Sequence, residues 1–400
     1  MAREAAYQLP LNPRSGLVSR GRIWHPDATY PLWEVALELA GGTRGQNVGG
    51  TGFTRGEALM RAAGETVERH AWRATSSTAP QGKLSAGMGQ ADHWNDWVEG
   101  GLVPAGSSVE DFRVLPARRF DGNDKTWIPV GTLDGPGAAR FDIHPSGCAS
   151  GLGAGAAAAR AYRELVERDA YFLAWLGLSA VYEIPPELWR TMLPARAREH
   201  PVFAEESSQI HVGIMPVTHR HWFAVGLLSQ TDPLAVACGL GEAGSVPAAV
   251  ERAVRETVQV SRAVKVNRRV AEPGTADEAG DNRLQYVQST AAHRAAQNFI
   301  SSFLPLPENW SGGSATDWAA LYDPRVEIDT HEVWVLDMSE EIPLPLRDAG
   351  WRVVRAVSAD SMQFRWDGTM THTWSSRRLS VFGLELSDPQ VTHSAPHLLL

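Results

Sequence analysis

Cysteine is scarce: Cys148 and Cys238 are the only two in 400 residues. They form no Cys-x-x-Cys pair, which argues against a structural zinc site and fits a reducing, cytoplasmic setting. No apolar run approaches the roughly 20 residues that a membrane helix needs. The start, Met1 to Tyr7, has no apolar core of a secretory signal. Positive charge is not in excess either. The net charge is −9 with no basic stripe to offset it, which argues against a nucleic-acid partner. Two catalytic signatures are missing as well. There is no G-x-x-x-x-G-K-(S/T) phosphate loop and no H-E-x-x-H metal pair.

What the chain does have is ordinary bulk and one unusual repeat. Hydrophobic residues make up 43% and charged residues 21%, as in a soluble globular protein. Fifteen tryptophans are scattered and read as core and surface filler. The repeat is R-A-x-x-E-x-V-(E/Q). It occurs from Arg61 to Glu68, from Arg160 to Glu167 and from Arg252 to Gln259. The copies lie roughly 90–100 residues apart, too far for a solenoid of short repeats. A glycine-rich stretch precedes each: Gly49 to Gly52, Gly147 to Gly155, and Gly239 to Gly244. Each unit therefore reads as strand, glycine loop, then helix. Its two oxygen-bearing side chains, three apart, share one helix face. Converging, they would gather five carboxylates and one amide. Such charge calls for cations, and Mg2+ prefers these oxygens. The plain alternative is three solvated helix faces carrying ordinary ion pairs.

Taken in order, residues 1–30 read as a loose arm, and Leu32 to Leu39 as a strand or short helix. Thr54 to Arg73 is a helix with Thr54 as N-cap and Glu57 as its capping-box partner. Ala74 to Ala91 reads as loop. Trp127 to Val130 and Phe141 to Ile143 read as short strands. The second motif helix runs on to Leu176 and is apolar in its second half, so it should be buried. Strands are expected at Ile210–Met215, Trp222–Leu228 and Leu234–Cys238. Arg269 to Asn282 reads as an exposed loop, and Ala291 to Phe303 as a helix. Leu304 to Asp323 is broken by prolines and glycines. Val333–Asp337 and Trp351–Val357 read as strands. The expected class is α/β (α+β): repeated sheet and helix layers in one compact domain with three glycine-loop/helix units.

Gly239-x-Gly241-x-x-Gly244 matches the dinucleotide fingerprint in letters. A second strand ending in an acid should follow within about 20 residues, and it does not. His144 and His331 stand alone and read as structural. His219 and His221 would share a strand face and could meet one metal, though a water-exposed turn is the plainer reading. Helix N-termini after glycine loops are ready phosphate seats.

The three motifs resemble the YcaO superfamily. Its E-x-x-E-R stands here as Glu65, Glu68 and Arg69. Its E-x-x-E-R-D-A stands as Glu164, Glu167, Arg168, Asp169 and Ala170. Its E-x-x-Q stands as Glu256 and Gln259. Ser146 to Gly151 matches the family's lead-in to the second helix, and Trp351–Val357 and Ser376 to Leu379 also fit. Three features depart from the family. Thr51 replaces a lysine, Arg61 replaces a small residue, and the proline-rich tail is reduced to Ala395-Pro396-His397-Leu398.

The resemblance implies an N-terminal arm over 1–44 and a YcaO domain over 45–400. It implies ATP and Mg2+ as cofactors and activation of a peptide backbone amide, chiefly cyclodehydration to thiazoline or oxazoline. A Cys, Ser or Thr side chain attacks the preceding carbonyl, whose oxygen takes the γ-phosphoryl group. Thioamide or amidine formation and a catalytically silent scaffold are the alternatives. Glu65, Glu68, Glu164, Glu167 and Glu256 are the implied metal ligands. Ser146, Arg69, Arg168, Gln259 and Arg61 are the implied nucleotide contacts. No catalytic base is assigned. A leader-binding, winged-helix-like module needs about 80 residues, more than precede Gly49. A separate leader-binding partner beside the precursor peptide is expected, with a homodimer as another assembly. No nucleic-acid or membrane partner is expected.

Overall fold

The computed structural model describes residues 2–40, 47–78, 93–103, 112–122, 124–132, 146–204, 210–218, 221–231, 234–270, 285–362, 374–392 and 397–399. Residues expected to form a loose arm instead carry helix α1 (Ala2–Gln8) and strand β1 (Val18–Trp24). β1 pairs antiparallel with β2 (Trp33–Leu39), and β2 pairs with β3 (Asn47–Gly52). The first 44 residues thus share a sheet with the segment after them. α1 is pinned as well. The Trp351 indole donates to the Ala6 carbonyl at 2.9 Å, and its ring meets Tyr7 edge-on.

β3 turns at once into α2 (Arg55–Thr78). The capping box is formed: Glu57 N donates to Thr54 Oγ1 at 3.0 Å, and Thr54 N donates to Glu57 Oε2 at 3.1 Å. α2 runs past Arg73, so part of the expected Ala74–Ala91 loop is helix, and residues 79–91 lie outside those described. The second unit repeats the plan, with β6 (Cys148–Leu152) entering α3 (Ala154–Trp175). β6 edges an antiparallel sheet of order β5-β4-β12-β13-β6. Its other strands are β4 (Phe112–Arg119), β5 (Lys125–Thr132), β12 (Trp334–Asp337) and β13 (Trp351–Val357). The strand expected at Phe141–Ile143 lies outside the described residues.

In the third unit β10 (Leu234–Ala243) enters α4 (Val246–Val270). Its sheet has the order β10-β9-β8-β7-β11, from β7 (Tyr182–Ile184), β8 (Ile210–Pro216), β9 (Trp222–Thr231) and β11 (Leu304–Pro305). Arg269 closes α4 rather than opening a loop. The expected late helix is α5 (Thr290–Ser301). The Leu304–Asp323 stretch is less broken than expected. It holds a short helix, Ala315–Leu321, under a Ser314–Asp317 capping box.

The glycine stretches are mostly strand rather than loop, because the helices lie directly on them. A Cβ on Gly239 would stand 2.2 Å from Thr257 N, and one on Gly50 2.3 Å from Ala62 N. Ala62, Ala161 and Ala253, the alanines of the repeat, are fully buried. Only small residues let a helix backbone sit that close to a strand. The apolar end of α3 is central, as expected. Tyr171, Phe172 and Leu173 are buried in a core reaching to β9, β10 and β13. Burying one such side chain contributes roughly 1.5–3 kcal/mol. No helix among the described residues is long and apolar enough to cross a membrane.

Candidate active site

The three units place their motif residues identically. Glu65 stands in a helix that starts at Arg55, Glu164 in one that starts at Ala154, and Glu256 in one that starts at Val246. The repeat's arginines lock this register. Arg61 Nη1 donates to the Thr51 carbonyl at 3.4 Å, Arg160 Nη1 to that of Ser150 at 3.3 Å, and Arg252 Nη1 to that of Glu242. Each reaches the strand that feeds its own helix. The units are also tied to one another. Ser150 Oγ donates to the Gly64 carbonyl at 2.8 Å, Thr51 Oγ1 donates to Gln259 Oε1 at 2.6 Å, and Arg163 Nε lies 3.8 Å from Glu242.

Between them is a cavity of about 240 Å3. Its acids are Glu65 and Glu68 of α2, Glu164 and Glu167 of α3, and Glu242 of β10. Its arginines are Arg69, Arg160, Arg163, Arg168 and Arg252. The expected unbalanced acidic cluster is therefore corrected. Arginine lines the cavity as heavily as carboxylate, and Arg69 holds Glu65 at 2.6 Å. Such a mixture suits both a hard cation and phosphate oxygens.

The carboxylates keep some solvent contact at the cavity, but dense surroundings dominate their ionisation. Burial pushes Glu167 up to about 8. Arg168 opposes this, and Glu256, Glu164 and Glu242 add to it. Burial, then Glu65 and Glu164, hold Glu68 well above the usual carboxylate range. Burial raises Glu164 against the pull of Arg168 and Arg69. It also raises Glu256, against Arg168 and the Leu240 amide. For Arg168, burial works against the charge, yet Glu167, Glu164 and Glu256 outweigh it and the pKa rises. Among the described residues no three Asp, Glu, His or Cys side chains stand together closely enough to hold one ion. The donor chemistry nonetheless fits Mg2+. These are hard oxygens, part-buried and mutually repelling, which a divalent cation would relieve.

Not every expected residue lines the cavity. Glu256 couples electrically to Glu167 and Arg168 but is not in the wall. Gln259 is engaged with buried Thr51. Ser146 offers its carbonyl to Arg355 at 3.3 Å, and the neighbouring Gly147 amide reaches Glu164. Arg61 neither pairs with Glu65 nor lines the cavity; it grips Thr51. Sequence reasoning missed that Glu242, Arg160, Arg163 and Arg252 line the cavity. For Arg160 and Arg252 the arginine that opens each copy of the repeat was the available signal, whereas Arg163 has no counterpart in the first copy. His219 and His144 lie outside the described residues, and His331 pairs with Asp121 at 2.9 Å on the surface. The dinucleotide reading fails on topology. Among the described strands β10 pairs only with β9, antiparallel, where that fold needs a parallel βαβ unit.

A family model described as YcaO cyclodehydratase, ATP- and Mg2+-binding, matches residues 49–360. The chain belongs to the YcaO family. Solved structures of the YcaO fold resemble it at low identity. A chain of the E. coli microcin synthetase McbBCD complex with pro-MccB17 bound is 15% identical, with a TM-score of 0.66, over 91% of this chain and 93% of that one. YcaO from Methanopyrus kandleri, bound with AMPPCP and Mg2+, is 17% identical, with a TM-score of 0.54, over 90% and 91%. A heterocyclase in complex with substrate and cofactor is 15% identical, with a TM-score of 0.55, over 90% of this chain and 52% of that one. A sequence search of curated proteins found no match.

Proposed function

We propose that this YcaO protein uses ATP and Mg2+ to activate a backbone amide of a precursor peptide, cyclodehydrating Cys, Ser or Thr to thiazoline or oxazoline. One observation carries the reading: carboxylates and arginines from separate units meet in one cavity. The neighbours named as a microcin synthetase and a heterocyclase, and the one holding AMPPCP and Mg2+, support it. In this reading Glu65, Glu68, Glu164, Glu167 and Glu256 hold the metal. Bound Mg2+ neutralises phosphate charge. Arg69 and Arg168 contact the nucleotide, and Arg160, Arg163 and Arg252 join them because a guanidinium fork matches phosphate oxygens. Ser146 and Gln259, outside the cavity wall, support the site through Arg355 and Thr51. Arg61 supports the site from behind, through the Thr51 carbonyl.

Thioamide or amidine formation would use the same activation. A separate leader-binding, winged-helix-like protein completes the peptide site, with a homodimer as the other assembly. A second reading, a silent scaffold subunit, draws on Arg69 engaging Glu65 and on Thr51 engaging Gln259. The test is mass spectrometry of the cognate peptide after incubation with ATP and Mg2+, with and without the partner protein. Loss of one water per site supports the proposal, and a gain of sulfur minus oxygen replaces it with thioamide formation. Unmodified peptide alongside intact AMPPCP binding favours the scaffold.

A further inference from the structure

A second cavity, of about 280 Å3, adjoins the first and shares two of its walls, Arg163 and Glu242. Its character differs. Phe120, Tyr162 and Val166 give it apolar walls, and Thr218 and His221 supply polar atoms. Glu242 stands at the junction. It is 2% exposed, one carboxylate oxygen meets His221 Nδ1, and the other has no hydrogen-bond partner among the described residues, with Arg163 Nε at 3.8 Å. The His221 backbone is fixed: its N–H donates to the Thr218 carbonyl at 2.8 Å, and its carbonyl accepts from Val217 N at 3.0 Å and Trp318 Nε1 at 3.2 Å. About a third of its side chain stays accessible. Asp329 and Glu327 also stand near this wall, and Glu327 accepts from Thr218 Oγ1 at 2.8 Å and from the Tyr322 hydroxyl. A carboxylate only accepts hydrogen bonds, so Nδ1 carries a proton, and in the neutral ring Nε2 is the nitrogen with the lone pair. Nε2 engages none of the described residues.

We infer that the second cavity seats the reacting segment of the peptide, that His221 is the base for the attacking side chain, and that Glu242 is its positioning residue. This rests on the amide-activation reading above. Nε2 takes the proton from the substrate's S–H or O–H. The freed electron pair on sulfur or oxygen forms the bond to the preceding carbonyl carbon. The C=O π pair moves onto oxygen, which would take the γ-phosphoryl group of ATP held in the adjoining arginine-lined cavity, with ADP leaving; the amide nitrogen then gives its proton to water, its electron pair forms the C=N bond and phosphate departs. The new imidazolium is balanced by the Glu242 carboxylate, the division of labour that an Asp–His pair uses in acyl transfer. The base ring of ATP would also suit apolar walls beside a phosphate site. Its amino group would donate a hydrogen bond to Nε2, so in that case AMPPCP alone would move the Nε2 signal and the peptide probe would not extend the movement.

The test uses the full chain labelled with 15N-histidine and saturated with Mg2+ and AMPPCP, titrated with N-acetyl-glycyl-cysteine methylamide at millimolar concentration. His221 should appear as the Nδ1–H tautomer, and its bare Nε2 signal should move with the probe. Glu242→Gln should shift the ring towards Nε2–H. Ala159→Trp, which fills the cavity from an exposed helix position, should abolish the probe shift with melting unchanged. With the cognate peptide, His221→Gln should lower kcat about 100-fold or more at unchanged AMPPCP affinity. Four results overturn the inference: an Nε2–H tautomer in the wild type, no movement with the probe, movement with AMPPCP alone that the probe does not extend, or kcat within threefold for His221→Gln. Failure of AMPPCP to bind at all would instead sink the amide-activation reading, leaving the tautomer result to stand.

Discussion

Two carboxylates on α3, Glu167 and Asp169, belong to one short motif yet meet opposite surroundings. Asp169 is 1% exposed and fully matched. Its oxygens accept from Met362 N at 2.8 Å, from Arg378 Nε at 3.2 Å and from Arg378 Nη2 at 2.6 Å. Arg378 in turn spends its remaining donors on the Val326 and Glu327 carbonyls. Glu167 faces a cavity with Glu164 and Glu242 in the same wall and Glu256 close enough to repel it. The comparison separates two uses of buried charge. Where the buried carboxylate is met by three donors and faces its own arginine, the pair is architecture, here joining α3 to the helical turn Ser376–Ser380. Where like charges crowd together, the site is built for something that binds.

Breaking the matched side should have the largest effect on the fold. Arg378→Met leaves Asp169 as a lone buried charge and should cost about 3–5 kcal/mol in chemical denaturation. Asp169→Leu added to Arg378→Met should recover most of that. A cost below about 1 kcal/mol for Arg378→Met would erase the distinction between the two carboxylates.

The unmatched side should behave in the opposite way. Glu167→Gln mimics the protonated carboxyl that burial favours at neutral pH, so denaturation should show stability unchanged within about 1 kcal/mol. Mg2+-dependent ATP turnover should fall about 100-fold or more. A destabilised variant with normal turnover would make Glu167 structural after all.

The same contrast carries a pH signature. Burial pushes the Glu167 carboxyl from an ordinary value of 4.5 up to about 8 in the folded chain. A raised carboxylate pKa means that the folded state holds the proton more tightly. Its stabilising contribution is complete below 4.5 and is lost as pH rises through about 8. Melting without metal from pH 5 to 8.5 should therefore fall more steeply in the wild type than in Glu167→Gln. Parallel curves would refute the assignment.

The smallest effects should come from the ties behind the cavity. Thr51→Val loses the hydroxyl contact to Gln259 and should cost about 1 kcal/mol. Arg61→Ala should leave AMPPCP affinity within about twofold, because Arg61 grips a backbone carbonyl outside the cavity. A tenfold loss would bring Arg61 back to the phosphates.

Much of this was legible beforehand where the information is local. The Thr54–Glu57 capping box, the buried end of α3 and the bounds of β13 follow from short patterns. The equal spacing in the R-A-x-x-E repeat marked the three helices. The rest depends on long-range pairing. Nothing near Trp351 says that its strand lies between β12 and β6, or that its indole anchors Ala6. Glycine runs looked like loops because glycine serves turns and close packing alike. Arg160, Arg163 and Arg252 looked like solvated helix charges until the helices were set side by side. Glu242 sits in the third glycine stretch, where nothing local marks it as part of a cavity wall.

The central claim is that separate helices build one Mg2+–nucleotide site. The most direct test is calorimetry of AMPPCP binding near pH 7, with and without Mg2+, in two buffers of different ionisation heat. The account predicts binding that requires Mg2+ and releases protons, because Glu167 must lose its proton to meet the cation. Both features should disappear in Glu167→Gln. Equal affinity without Mg2+, or binding in that variant with the same proton release, would contradict it.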